Sequence, residues 1–164
     1  IMADSKGIIN QKREDLNKAL TIYRRDHKVA LVKKSSLFPQ VKQVLSRLKD
    51  KGYKLAIASN RPTKFSGIII RHLGLEKYFD CILCADKLKH IKPHPEILNK
   101  IRQRFSLGVQ QTLYVGDMTI DAQAGRRARI KTLVIGTGSS TVQELKQERH
   151  FRIIRKLTEL LKML

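Results

Sequence analysis

Short apolar strands alternate with amphipathic helices along most of this chain, and no other feature constrains its fold as tightly. Strands read at 53–58, 81–84, 112–116 and 131–135, separated by helices near 63–73, 95–105 and 121–129. Such alternation predicts a parallel sheet covered by helices on both faces. Upstream, Pro39 is expected as the first residue of a helix whose apolar face is Val41, Val44, Leu45 and Leu48, closed by Gly52. Downstream, 141–148 reads as a short helix, and Ile153, Ile154, Leu157, Leu160 and Leu161 as the core stripe of a last helix. The expected fold is a doubly wound, Rossmann-like α/β core. Before it, Leu16, Ala19, Leu20, Tyr23 and His27 are spaced as one face of a helix.

The chemistry concentrates where strands end. In Thr112-Leu113-Tyr114-Val115-Gly116-Asp117-Met118-Thr119-Ile120-Asp121 an apolar strand runs into a glycine turn that carries two carboxylates four residues apart. Open α/β sheets place their ligands at the carboxyl ends of strands, and a hard cation such as magnesium takes carboxylate oxygens. A plainer reading stands beside this one: Asp121 caps the helix it opens, and Asp117 is an ordinary turn residue. Two upstream segments add to the pattern. The strand in Tyr53–Pro62 ends in Ser59 and Asn60, a hydroxyl and an amide able to donate to a phosphoryl oxygen. In Ile91-Lys92-Pro93-His94-Pro95-Glu96 a lysine sits between a strand and a helix.

In this order and at these element boundaries, the three segments resemble the second, third and fourth motifs of the haloacid dehalogenase superfamily of phosphohydrolases, with the phosphoglycolate phosphatase-like branch the best match. The resemblance extends from Phe38 onward through Phe38-Pro39, Lys51-Gly52-Tyr53-Lys54 and Tyr78-Phe79-Asp80. It implies that Ser59, with Asn60, holds the transferring phosphoryl group and that Lys92 stabilises charge on nucleophile and phosphate. It also implies that Asp117 ligates Mg2+ and that Asp121 assists at the metal or orients Lys92. The implied reaction transfers phosphoryl from a small phosphorylated metabolite to an aspartate, and water then hydrolyses the acyl phosphate. On the same resemblance, residues 1–36 are the end of a helical cap and 37–164 the core.

The family's first motif, a strand ending in Asp-x-Asp-Gly-Thr, supplies the nucleophile and is not recognisable in this sequence. The nearest string, Asp4-Ser5-Lys6-Gly7-Ile8, has lysine in place of the acid/base aspartate and isoleucine in place of threonine. Ile1 before Met2 suggests a natural start further upstream. In the family that strand lies between those read here at 53–58 and 112–116, so its removal exposes two inner strand edges, each unpaired backbone group costing about 1–3 kcal/mol if buried. A polypeptide confined to these residues is accordingly expected to be inactive or nearly so.

The 164 residues, 41% hydrophobic, suffice for one domain with a sizeable core. No apolar run approaches the ~18 residues that would span a membrane, and a cytoplasmic protein is expected. Cys81 and Cys84 enclose Ile82-Leu83 and lack a second pair, so buried thiols are favoured over a metal site. His90 and His94 have helical ligand spacing, but Pro93 and Pro95 oppose a continuous helix, and no zinc site is expected there. Gly136-Thr137-Gly138-Ser139-Ser140 lacks the lysine and spacing of a phosphate-cradling loop and reads as a connection after a strand.

The net charge of +20 invites a rival reading, a non-catalytic basic module that binds nucleic acid or another polyanion. The excess is +9 over residues 1–60, +5 over 61–120 and +6 over 121–164, spread along the chain rather than gathered on one segment. Aromatics at 5% provide few stacking platforms. A small phosphorylated substrate is favoured over nucleic acid.

Overall fold

The computed structural model describes residues 13–18, 21–22, 29–33, 35–148 and 152–164. The chain divides into two compact units, Ile1–Ser36 and Leu37–Leu164. In the first, 13–18, 21–22 and 29–33 are helical. Leu16 of the expected apolar face is exposed there, while Ala19, Leu20, Tyr23 and His27 lie outside the described residues.

Among the described residues the second unit contains five strands, all parallel to their partners: β1 (Ala56–Ser59), β2 (Cys81–Cys84), β3 (Leu113–Gly116), β4 (Lys131–Ile135) and β5 (Arg152–Ile154). The helices are α1 (Val41–Asp50), α2 (Thr63–His72), α3 (Glu96–Arg104), α4 (Thr119–Arg127) and α5 (Val142–Gln147), with short 3-10 turns between elements. Pro39 lies in the turn before α1, and Gln40, in a left-handed conformation at φ 62°, caps it. Gly52, at φ 81°, ends that helix by donating to the Lys49 carbonyl, a backbone conformation that suits glycine.

Helices cover both faces, as the period-two alternation of a strand requires. From β3, Leu113 and Val115 join Val44 and Leu48 of α1 with Leu133, Ile154 and Leu160. Tyr114 turns the other way, into a cluster with Ile97 and Leu98 of α3 and Ala124 of α4. Ile70 of α2 packs with Leu45 and Leu75 beside Ile57 of β1, and Leu145 of α5 with Val134 and Ala122. Gly125 makes the α4–β4 contact close, because a Cβ there would collide with the Thr132 side chain.

One element departs from expectation. Ile153 and Ile154 belong to β5, which pairs with β4 through Val134↔Ile153 and Ile135↔Ile154, and not to a last helix. The helical turn begins only at Leu157 and is a 3-10 helix. Two adjacent β-branched residues fit a buried strand at least as well as a helix stripe, and an open β4 edge decides the matter.

The strands form two sheets, β1-β2 and β3-β4-β5. Among the described residues no strand lies between β1 and β3. A cavity of about 800 Å³ runs there, lined by Ala56–Ala58 of β1 and Leu113–Gly116 of β3, and reaching Lys92, Asp117 and Asp121. Among the described residues the inner edges of β1 and β3 are thus not paired with each other.

Candidate active site

The site residues gather at the carboxyl ends of β1 and β3, on either side of this cavity. Lys92 spans the gap. Its Nζ donates to the Ala58 carbonyl at 3.0 Å, to the Tyr114 hydroxyl at 3.1 Å and to Asp121 Oδ1 at 2.8 Å. The Lys92 and Asp121 side chains are only 10% and 4% exposed, so the ion pair is largely shielded from water.

Asp121 serves two purposes at once. Oδ2 accepts the Asp117 and Met118 N–H groups, both at 3.1 Å, capping the first turn of α4. Oδ1 accepts from Lys92 and, at 2.6 Å, from the Tyr114 hydroxyl. Each oxygen thus receives two donors. One carboxylate caps the helix with Oδ2 and holds the Lys92 ammonium with Oδ1, because α4 begins at Thr119 and Asp121 lies inside its first turn. Burial alone raises the Asp121 carboxyl, but the Lys92 charge and the hydrogen bonds from Lys92, Tyr114 and the Asp117 N–H outweigh it and hold the group below the usual carboxylate range. Tyr114 moves the opposite way: burial, then the Asp121 charge, raises its hydroxyl and keeps it a neutral donor. Gly116 is required here, since a Cβ would collide with the Asp121 side chain.

Asn60 grips the backbone of Lys92 from both sides. Its Nδ2 donates to the Lys92 carbonyl at 2.9 Å, and its Oδ1 accepts the Lys92 N–H at 2.8 Å. This reciprocal pair fixes the strand end to the lysine loop and leaves one amide hydrogen over. Ser59 Oγ accepts the Arg61 N–H at 3.0 Å, which leaves its own proton to donate.

Asp117 projects from the turn after β3 and is clasped by the loop after β4. Ser139 N–H donates to its Oδ2 at 2.8 Å, and Ser140 N–H to its carbonyl at 3.1 Å. Gly138 permits this approach, because a Cβ at that position would overlap the Asp117 side chain. Oδ1 has no hydrogen-bond partner among the described residues. A carboxylate held at one oxygen, at the mouth of a polar site, suits a hard cation that takes one or two carboxylates and completes its shell with water. Asp121, with four donors already in place, is the poorer ligand of the two.

Two participants escape sequence reasoning. Tyr114 reads as one more apolar strand residue, and only its hydroxyl beside Asp121 and Lys92 reveals a polar task. The 136–140 loop reads as a connection, although two glycines among small hydroxyl residues just after a strand was a usable signal. His90 and His94 lie outside any helix, as Pro93 and Pro95 led us to expect, and a turn brings their rings to a centroid separation of 4.4 Å. Cys81 and Cys84 are both buried free thiols.

The chain is an α/β protein whose parallel strands deliver a buried lysine–carboxylate pair and a second carboxylate to one end. Residues 2–135 match the family model for haloacid dehalogenase-like hydrolases, and the chain belongs to that family. It is 28% identical over 155 residues to a phosphoglycolate phosphatase of Nitrosococcus oceani, covering 94% of this chain and 69% of the relative. A phosphoglycolate phosphatase of Escherichia coli K12 is 37% identical over 92 residues, 56% of this chain and 36% of the relative. A crystal structure described as a predicted phosphoglycolate phosphatase from Haemophilus somnus superposes with a TM-score of 0.77 at 31% identity, covering 82% of this chain and 60% of that one. The chain thus spans about a third of the E. coli relative, three fifths of the Haemophilus somnus chain and just over two thirds of the Nitrosococcus relative. Among the described residues no helix is long and apolar enough to cross a membrane.

Proposed function

We propose that this chain is the core of a magnesium-dependent phosphatase that cleaves a small phosphomonoester through an aspartyl-phosphate, with residues 1–36 as the end of a cap. Phosphoglycolate, named for two relatives, is the first substrate to try. The observation that carries this reading is the Lys92 bridge, which fixes an ammonium between the ends of β1 and β3 on the cavity that Asp117 also lines.

In this reading Lys92 neutralises charge that accumulates on phosphoryl oxygens; Ala58, Tyr114 and Asp121 occupy its three N–H groups and hold it in place, and one of these bonds is exchanged when Nζ donates to phosphate. Asp121 orients Lys92, and Asn60 acts mainly by fixing the lysine backbone. Ser59 donates its hydroxyl to the phosphoryl group, and Asp117 would hold the magnesium ion, which when bound supplies positive charge to phosphoryl oxygens. The slot between β1 and β3 takes a parallel strand whose terminal aspartate is the nucleophile. Attack of that carboxylate on phosphorus breaks the ester P–O bond and expels the alcohol, which takes a proton from the second aspartate of the same motif; water then attacks the acyl phosphate, releasing inorganic phosphate and regenerating the carboxylate.

The test is phosphate release from phosphoglycolate and a panel of sugar phosphates, with and without Mg2+. Residues 1–164 alone are expected to turn over little. The same chain extended by an apolar strand ending in Asp-x-Asp-Gly-Thr should gain magnesium-dependent activity that Asp117→Asn abolishes. Turnover insensitive to Asp117→Asn, or steeply salt-dependent nucleic-acid binding in place of turnover, would favour the basic binding module.

A further inference from the structure

We propose that His90, His94 and Glu96 form a surface site for a divalent transition ion of the zinc type, distinct from the Asp117 position. One ligand atom from each of the three side chains lies within 4.8 Å of the other two. His90 Nδ1 and Glu96 Oε2 are 3.3 Å apart, roughly the edge of a tetrahedron with metal–ligand bonds of about 2.0–2.1 Å. His94 closes the third position by rotation of an exposed ring.

The carboxylate is built in rather than merely nearby. Glu96 opens α3 and turns back over the loop, where Oε1 accepts the Lys89 N–H at 3.2 Å and Oε2 the His90 N–H at 2.9 Å. Lys100 Nζ lies 2.7 Å from Oε1, which leaves Oε2 facing the imidazole. With these donors, led by Lys100, the Glu96 carboxyl is held down at about 2 and remains anionic. His94 Nδ1 accepts the Glu96 N–H at 3.2 Å, so its lone pair already points back into the loop, and an ion has only that long hydrogen bond to displace there. A second turn bond, His94 N–H to the Ile91 carbonyl at 2.9 Å, closes the segment.

Ligand chemistry selects the ion. Two imidazoles and one carboxylate suit zinc, nickel or copper, whereas magnesium and calcium require several oxygens. Lys89 and Lys100 repel a hard cation that has only electrostatics to offer, while nitrogen coordination can outweigh them. Three protein ligands leave positions open to water. Because His90 and His94 each lie two residues from Lys92, an ion there would clamp the loop that presents the lysine.

The experiment is calorimetric titration of chelator-stripped protein with zinc chloride in a non-coordinating buffer, with cobalt(II) absorption as a second readout. One ion per chain is expected, with a cobalt spectrum of nitrogen and oxygen ligation. His90→Ala and His94→Ala, both exposed and therefore compatible with folding, should each weaken binding at least about tenfold. Absence of binding at sub-millimolar zinc would overturn the proposal. So would unchanged affinity in the doubly substituted protein, or a thiolate charge-transfer band, which would place the ion at Cys81 and Cys84.

Discussion

Asp121→Asn removes the charge that compensates Lys92 while barely changing shape, and it tests the geometry of the site without requiring activity. Asp121 receives four donors, and the variant amide presents an N–H₂ group to two of them. If the amide oxygen keeps Lys92 and Tyr114, the nitrogen faces the Asp117 and Met118 N–H groups, donor against donor. Lys92 is left as a buried ammonium held only by neutral oxygens. Breaking a buried pair by removing one partner costs about 3–5 kcal/mol, a large share of the roughly 5–15 kcal/mol that stabilises a domain. Lys92→Met should cost less, because Asp121 then keeps the Tyr114 hydroxyl and two backbone N–H groups. Urea denaturation of the two single variants and the double variant gives the coupling energy. Adding Lys92→Met to Asp121→Asn should recover part of the loss, since no orphaned charge remains. The sign of the pH effect follows from the depressed Asp121 carboxyl. The pair contributes fully above the unfolded carboxyl pKa of about 3.9, and that contribution is lost as pH falls through the lower folded value. The acid limb of the stability curve should therefore be flatter in Asp121→Asn than in the parent. A loss below about 1 kcal/mol for Asp121→Asn, the value of an exposed pair, would refute the claim that this pair is buried and essential.

Tyr114→Phe removes one hydroxyl shared by Lys92 and Asp121 and should cost about 1–3 kcal/mol in urea denaturation; if the reading of the site holds, it lowers kcat more than it raises KM. Gly125→Ala drives a methyl into Thr132 between α4 and β4, and a drop in thermal midpoint is expected, which Thr132→Ala should partly restore. Asp80 accepts from Lys49 and the Leu55 N–H, and these bonds hold its carboxyl at about 2, below the usual 3.8. Its contribution is present above the ordinary value and lost as pH falls toward 2, so Asp80→Asn should destabilise by about 1 kcal/mol at neutral pH after allowance for solvent screening. The difference from the parent should vanish in acid.

The strand-and-helix order was legible because each element carries its own period. β4 runs from Lys131 to Ile135, and β2 from Cys81 to Cys84, where apolar runs between turn signals placed them. The Gly116-Asp117 turn was legible for the same local reason. Ile153 and Ile154 were not, because two β-branched residues suit either element, and the free edge of β4 settled the choice. Nor could sequence decide between cap and lysine partner for Asp121, because the two tasks fall on different oxygens of one carboxylate. Asn60 illustrates the same limit: its amide meets the Lys92 backbone 32 residues away, a pairing that no local pattern encodes. His90 and His94 were separated by reasoning from helix geometry, and a turn reunites them. What this sequence determines by itself is periodicity, turn chemistry and the identity of the charged groups, all set within a few residues. Which groups share a hydrogen bond, and the slot left between β1 and β3, are decided only when distant segments pack, because both depend on chain ends of separate strands arriving at one place.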